Sequence, residues 1–303
     1  MKKLLSLCTI VGLFQTANAQ SLDPYITDST NNVFTNIVTI GGNGVVKPND
    51  LDFNPAETNS SMELWVINEG TENSGGNTVT FLNAGQSNQT FKIKKDGNAW
   101  HFMSLPSALA FSETGDWATS ANVFSANHNT VPFTGPSLWS SDFSIYAVNH
   151  GPGTNGSHLD MLHQSPYGMG IAADTMNVFW LFDGFNSTIV RYDFSLDHGP
   201  GNDYHNDGKV HFYEEVTVTR DPNLPAHMVL DKSDKMLYIC DNGNNRLLRL
   251  DTRSGNKKRD LSFNFEPLAE RWEMENVQWD ILTANVQKPC GIDVYGDRLV
   301  VGD

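Results

Sequence analysis

Five segments of this chain begin on a proline and run at once into a short apolar stretch. They are "KPNDLDFNP" at Pro48, "LPSALAFSETG" at Pro106, "SPYGMGIAADT" at Pro166, "LPAHMVLDKSDK" at Pro225 and "KPCGIDVYGDR" at Pro289. The spacings are 58, 60, 59 and 64 residues. A period of that length marks a repeat architecture, in which each unit buries its faces against its neighbours. Proline is tolerated at the first residue of a strand, where no ladder donor is needed. A polar turn and a second apolar stretch follow each start: "ELWVINEG", "DWATSANV", "NVFWLFDG", "KMLYICDNG" and "RLVVGD". Four of these end on an acid, Glu69, Asp183, Asp241 and Asp303, and Asn122 stands near the fifth such place. Their Val, Ile, Leu, Phe, Trp and Tyr suit sheets buried on both faces.

The third stretches repeat as well. "DGFNSTIVRYD" and "DNGNNRLLRLD" match position by position, Asp183 with Asp241, Asn186 with Asn244 and Arg191 with Arg249. A fourth, outer strand is expected near residues 89–94, 209–218 and 257–263. The best helical candidate is 266–276, as an insertion between units. One four-stranded antiparallel sheet of about sixty residues per repeat, packed radially, is an all-β fold, the β-propeller. Its blades start near residues 47, 105, 165, 224 and 288 and fill 47–303. Within 20–46, a strand at 33–40 is expected to complete the last blade. Asp303 stands where Asp241 stands in its own repeat. The sequence therefore reads as a fragment that stops after about four and a half blades.

Residues 225–250, "PAHMVLDKSDKMLYICDNGNNRLLRL", resemble an NHL-type propeller repeat, most clearly in the turn from Asp241 to Arg246. Residues 166–192 are a second match, and 289–303 are the front half of another. The resemblance implies a six-bladed ring in the full length and says little about activity, because the fold hosts many functions. The Pro-Ala-His start at Pro225 is also similar to the metal-binding blades of the peptidylglycine amidating lyases. That family places histidines from several inner strands around a central zinc, with an Arg and a Tyr in the channel. Only His227 carries over. The matching positions of the other blades hold Asp50, Ala108, Gly168 and Gly291.

Residues 1–19 read as an export leader: Lys2 and Lys3, an apolar run from 4 to 14, then Ala17-Asn18-Ala19 as a small-x-small cleavage site. The run is too short to stay in a bilayer, and Leu7 before Cys8 is the wrong neighbour for lipidation. No later stretch has the hydropathy of a membrane span. The mature protein is thus expected to be secreted or periplasmic, without membrane insertion. The formal charge is −15, and losing Lys2 and Lys3 takes it to −17. Such a surface repels nucleic acid and favours divalent cations. The one basic run, Lys257-Lys258-Arg259, reads as a solvated turn. Cys240 and Cys290 survive processing, as a disulfide or as two buried thiols.

The stretch "DYHNDGKVHFYEE" sets Asp203, Asp207, Gly208 and Glu214 in register with the calcium-loop pattern, with His205 replacing an oxygen ligand at the third position. Gly199-Pro200-Gly201 before it and "EVTVTR" after it exclude the two helices of an EF-hand. Three readings stand: a calcium loop set between strands, a polar hairpin connection built on Asx turns, or part of a transition-metal site. Of nine histidines, His158, His163, His198, His205, His211 and His227 crowd one part of the chain, and imidazole suits zinc, copper or iron. His227 and Asp50 are expected to face the central channel. A group of His163, His227 and either His198 or His205 is geometrically open. The two "HGPG" runs, at His150 and His198, read as rigid turns at matching rims. Trp180 reads as core, and Trp139 as either a sugar-stacking platform or packing beneath a loop. Phosphate loops, nucleophile elbows and Cys-x-x-Cys pairs are absent from the sequence.

These features point to a binding module for a small molecule, glycan or protein, with bound calcium. A zinc- or copper-dependent lyase or hydrolase acting at the channel mouth is the alternative. A purely structural module of a larger exported protein is the third.

Overall fold

The computed structural model describes the backbone of residues 3–6 and all of residues 36–56, 62–202 and 204–302. Asp203, Asp303, most of the expected leader and residues 33–35 of the expected closing strand lie outside the described residues. Strands are numbered in chain order from β1 (Lys3–Ser6). Blade one is β2 (Pro48–Phe53), β3 (Leu64–Thr71), β4 (Gly75–Leu82) and β5 (Thr90–Lys94), each antiparallel to the one before. A one-turn helix, α1 (Ala99–Phe102), leads into blade two. That blade is β6 (Pro106–Phe111), β7 (Asp116–Ala121), β8 (Ser137–Ser140) and the two-residue β9 (Asp160–Met161). Blade three opens with β10 (Gly168–Ala173), β11 (Val178–Asp183), β12 (Thr188–Asp193) and β13 (Lys209–Tyr213). The outer strands expected near 89–94 and 209–218 are β5 and β13.

Blade four departs from the expected order. Its first three strands are β14 (Met228–Asp231), β15 (Met236–Asp241) and β16 (Arg246–Asp251). The chain then forms a hairpin, β17 (Asn256–Asp260) and β18 (Glu270–Glu275), before β19 (Trp279–Thr283) closes the blade against β16. The hairpin does not join blade four. β18 pairs in parallel with β13, Lys209 opposite Glu270 through Phe212 opposite Glu273, so blade three becomes a six-stranded sheet. The outer strand of blade four is therefore β19 and not 257–263. The helix expected over 266–276 is strand β18, because Trp272 and Met274, two residues apart, both pack on the core between blades three and four. A spacing of two is the period of a strand. The basic run is not a turn but part of β17, an exposed edge strand whose Lys258 and Arg259 both reach the Glu273 carboxylate. Charge on an edge discourages pairing with other chains.

Blade five is β20 (Gly291–Tyr295) and β21 (Arg298–Gly302), with β1 parallel to β21. The strand expected at 33–40 is not beside it. Residues 36–40 carry no strand, and Ile37 and Val38 instead pack on the core of blade one.

The inner strands stand side by side in the order of the repeats, hydrogen-bonded neighbour to neighbour. Asn49 Nδ2 donates to Pro106 O at 2.8 Å, and the Asp50 and Asp52 carboxylates accept from Leu109 N and Phe111 N at 2.8 and 2.9 Å. Ser107 Oγ donates to Gly168 O at 2.6 Å, Ala226 N to Met169 O at 2.9 Å, and His227 N to Cys290 O at 3.0 Å. Each bond satisfies a group on the free edge of an innermost strand, which would otherwise go unpaired. This succession makes the sheets blades of a β-propeller.

Cores fill the wedges between blades. The most aromatic lies between blades one and two, where Trp117 touches Trp65, Trp139 and Tyr146 at centroid distances of 5.3, 5.8 and 5.2 Å. Trp139 is fully buried there and donates Nε1–H to Thr119 Oγ1 at 3.1 Å, so it offers no face to a sugar. Trp180 is core, as expected. The matched turns also hold: Asp183 accepts from Phe185 N, Asn186 N and Asn186 Nδ2, while Asp241 accepts from Thr219 N, Asn244 Nδ2 and Arg246 Nε. Cys240 and Cys290 are free thiols. No helix among the described residues is long and apolar enough to cross a membrane.

Candidate metal centre

Among the described residues, one group of side chains brings metal-ligating atoms together. His163, His205 and Glu266 each present one donor atom, all within 4.8 Å of one another. His163 follows β9, the outermost strand of blade two. His205 opens a 3-10 turn (His205–Asp207) that leads into β13 of blade three. Glu266 lies in the loop joining β17 to β18. The group therefore sits at the outer side of the wheel, in the cleft between blades two and three, and not in the central channel.

Glu266 is the hub. Its Oε1 accepts from His163 N at 2.7 Å and from Gln164 Nε2 at 3.1 Å. Its Oε2 lies 2.8 Å from His163 Nδ1 and 3.7 Å from His205 Nε2. Burial alone would raise its pKa. The hydrogen bond from His163, the charges of His163 and His205 and the Gln164 amide outweigh burial, and the carboxyl ends below its ordinary value. It is thus an anion at neutral pH, held between two imidazoles.

Behind His205 stands Asp160, fully buried on β9, with Oδ1 3.0 Å from His205 Nδ1. With Nδ1 held by Asp160, the His205 ring turns its Nε2 toward Glu266. An ion in that space could take one donor atom from each of His163, His205 and Glu266. A histidine whose second nitrogen is held by a carboxylate is the common arrangement around bound zinc. Burial raises the Asp160 carboxyl, opposed by the bond and charge of His205, and its Oδ2 is buried without a hydrogen-bond partner. Phe133 stacks flat on His163 at 3.8 Å and fixes that ring. His101 Nε2, on α1, lies 3.4 Å from His163 Nε2.

The other expected site residues are placed elsewhere. His198 Nε2 lies 3.1 and 3.2 Å from the two Asp207 oxygens, a local pair that also accepts from Leu196 N. Glu214 is exposed beyond the far end of β13, and five residues of strand put about 16 Å between it and Asp207. The structure does not bring these two carboxylates together as ligands of one calcium ion. Asp203 lies outside the described residues. His158 stacks on Phe102 at 3.6 Å, and His211 on Trp272 at 4.5 Å with Glu270 as partner. The two "HGPG" turns are neighbours: Asn155 N donates to Gly201 O and Gly201 N to His158 O.

His227 is absent from the cluster. Its Nδ1 lies 3.6 Å from Asp50 Oδ1, so that pair meets as expected where the inner strands face one another, and its Nε2 is buried without a partner. Asp52 and Asp293 crowd the same place. Burial, reinforced by the charges of Asp50 and Asp293, lifts Asp52 to about 7 against the backbone N–H bonds of Phe111 and Phe53. An aspartate in the unfolded chain titrates near 3.9. The folded state thus holds this proton more tightly, and ionising Asp52 costs stability. Stability is expected to be lower above pH 7 and to rise as pH falls through 7 toward 5. Urea midpoints between pH 8 and 5 measure this. Asp52→Asn should flatten the rise, and a variant profile parallel to the parent would rule the assignment out.

Reading the sequence missed Glu266, Asp160 and His101. Glu266 is 103 residues from His163, and only the misplaced hairpin of blade four brings it across, so no local pattern could reveal it. No family model and no curated protein matches the chain. Solved structures similar to it include an auxiliary nutrient binding protein from Bacteroides ovatus, at 16% identity over 67% of this chain and 38% of that one, with a TM-score of 0.42. Others are the nidogen/laminin complex, at 11% over 83% and 70% with a TM-score of 0.47, and streptogramin B lyase, at 14% over 81% and 58% with a TM-score of 0.42. The chain spans well under two thirds of the first of these. The fold assignment rests on the sheets themselves, and none of these likenesses carries a function.

Proposed function

We propose that this chain is an exported, NHL-like propeller that acts as a binding module built around one transition-metal ion, held in the cleft between blades two and three. The observation that carries this reading is the convergence of His163, His205 and Glu266 with Asp160 bonded behind His205. Two imidazoles and a carboxylate are a zinc donor set, poorly suited to calcium, which prefers six to eight oxygens. Three protein ligands leave a fourth position for water or for a donor atom of the bound partner, a small molecule, a glycan or a protein side chain. Dialysis of the chelator-treated protein against zinc, with metal analysis, is the test. One zinc per chain, with affinity falling as pH is lowered because protons compete for the ligand atoms, is the expected result. Tighter binding of copper would change the metal but keep the site. Calcium bound in place of either metal, or no metal at all, sinks the proposal.

A second reading, a metal-dependent lyase or hydrolase at the channel mouth, rests on the unpartnered His227 Nε2 beside Asp50. It requires a second metal per chain, lost on His227→Ala while the first remains.

A further inference from the structure

The loop between β17 and β18 is anchored in an uneven way. Residues 262–267 are exposed except for Glu266, which is 7% exposed. Phe263 and Phe265, just before it in the chain, face solvent, at 53% and 38% exposure. The stems are firmly held: Leu261 N donates to Arg271 O at 2.7 Å, Ala269 N to Gly208 O at 2.9 Å, and Leu268 is buried. Arg271 ties the near side by donating to Ser262 O and to Gln164 Oε1. Phe265 touches Phe133, the ring that stacks on His163. The tip's buried hold on blades two and three is thus one carboxylate, and that carboxylate is a ligand of the candidate metal centre. The loop belongs in sequence to blade four, so the ion would join three blades through one side chain.

We infer that residues 261–269 form a lid over the cleft, latched by the metal ion through Glu266. This rests on the proposed metal centre. With the ion bound, opening the loop means breaking a metal–carboxylate bond. Without it, opening breaks hydrogen bonds that water replaces and the packing of Leu268, but no metal–ligand bond. The ladder of β17 and β18 has its own bonds to β13 and stays in place in both states. Metal supply therefore sets the access of a partner to the cleft, with Phe263 and Phe265 carried on the moving part.

Amide hydrogen exchange of the full chain, with zinc and with chelator, tests the latch. At a zinc concentration a hundred times its Kd, openings that release the ion become about a hundredfold rarer. Exchange across 261–269 should slow by up to that factor, while 256–260 and 270–275 change little. Glu266→Gln, which keeps the amide partners, should still take up zinc weakly through His163 and His205 but show no slowing of the loop at saturation. Zinc uptake with unchanged exchange in 261–269, or equal slowing of loop and ladder, overturns the latch and leaves the metal centre standing. Failure to bind zinc removes both.

Discussion

Trp117→Ala is expected to remove about 3–5 kcal/mol of folding stability, at the top of the range for truncating one core side chain. Trp117 is fully buried at the junction of blades one and two and contacts Trp65, Phe111, Trp139 and Tyr146. Its truncation opens a cavity that four rigid rings cannot collapse to fill. It also removes the indole N–H bond to Ser140 O at 3.1 Å. Whole domains are stable by only about 5–15 kcal/mol. A urea titration should therefore show a large fall in midpoint at unchanged slope. A loss below about 1 kcal/mol would mean that the wedge between these blades is not packed as described. Trp139→Phe, which keeps the ring and gives up one bond to Thr119, should cost far less.

His163→Ala is expected to weaken zinc binding by well over a hundredfold, beyond the roughly 10–100-fold that loss of a supporting carboxylate brings. Asp160→Asn should fall within that smaller range, because an amide oxygen can still accept from His205 Nδ1 but the carboxylate charge behind the ring is lost. His198→Ala should leave zinc binding unchanged, since His198 pairs with Asp207 outside the centre. Competition with a chromophoric chelator gives all three affinities. A loss on His198→Ala with none on His163→Ala would place the ion beside Asp207 instead, against the geometry. His163→Ala also removes the ring stacked on Phe133, so its fold must be checked by circular dichroism before its affinity is read.

Much of the architecture was legible along the chain, because the forces that make a blade are local. Proline at a strand start, alternating and continuous apolar runs, and acid-led turns act over ten or so residues, and a propeller repeats them. Asp183 and Asp241 were matched by position and prove to hold the same kind of turn. The channel pair of His227 and Asp50 was legible for the same reason, since both occupy one position of the repeat. Trp139 was ambiguous and the 266–276 segment was misread as a helix, because burial decides both and depends on neighbours far away in sequence.

The centre itself was half legible. His163 and His205 could be singled out by residue type and by their place in loops. Their partner could not, because parallel pairing of β18 with β13 costs the chain nothing visible in its own periodicity. By itself, the sequence determined an all-β ring of proline-led blades, the register of their turns and an excess of acid. Only the tertiary structure decided that a hairpin from blade four lies on blade three. That placement puts Glu266 between two histidines more than sixty residues from it. The physical reason is that a strand's edge bonds are satisfied by any backbone of the right reach, whereas a metal site needs particular side chains within a few ångströms.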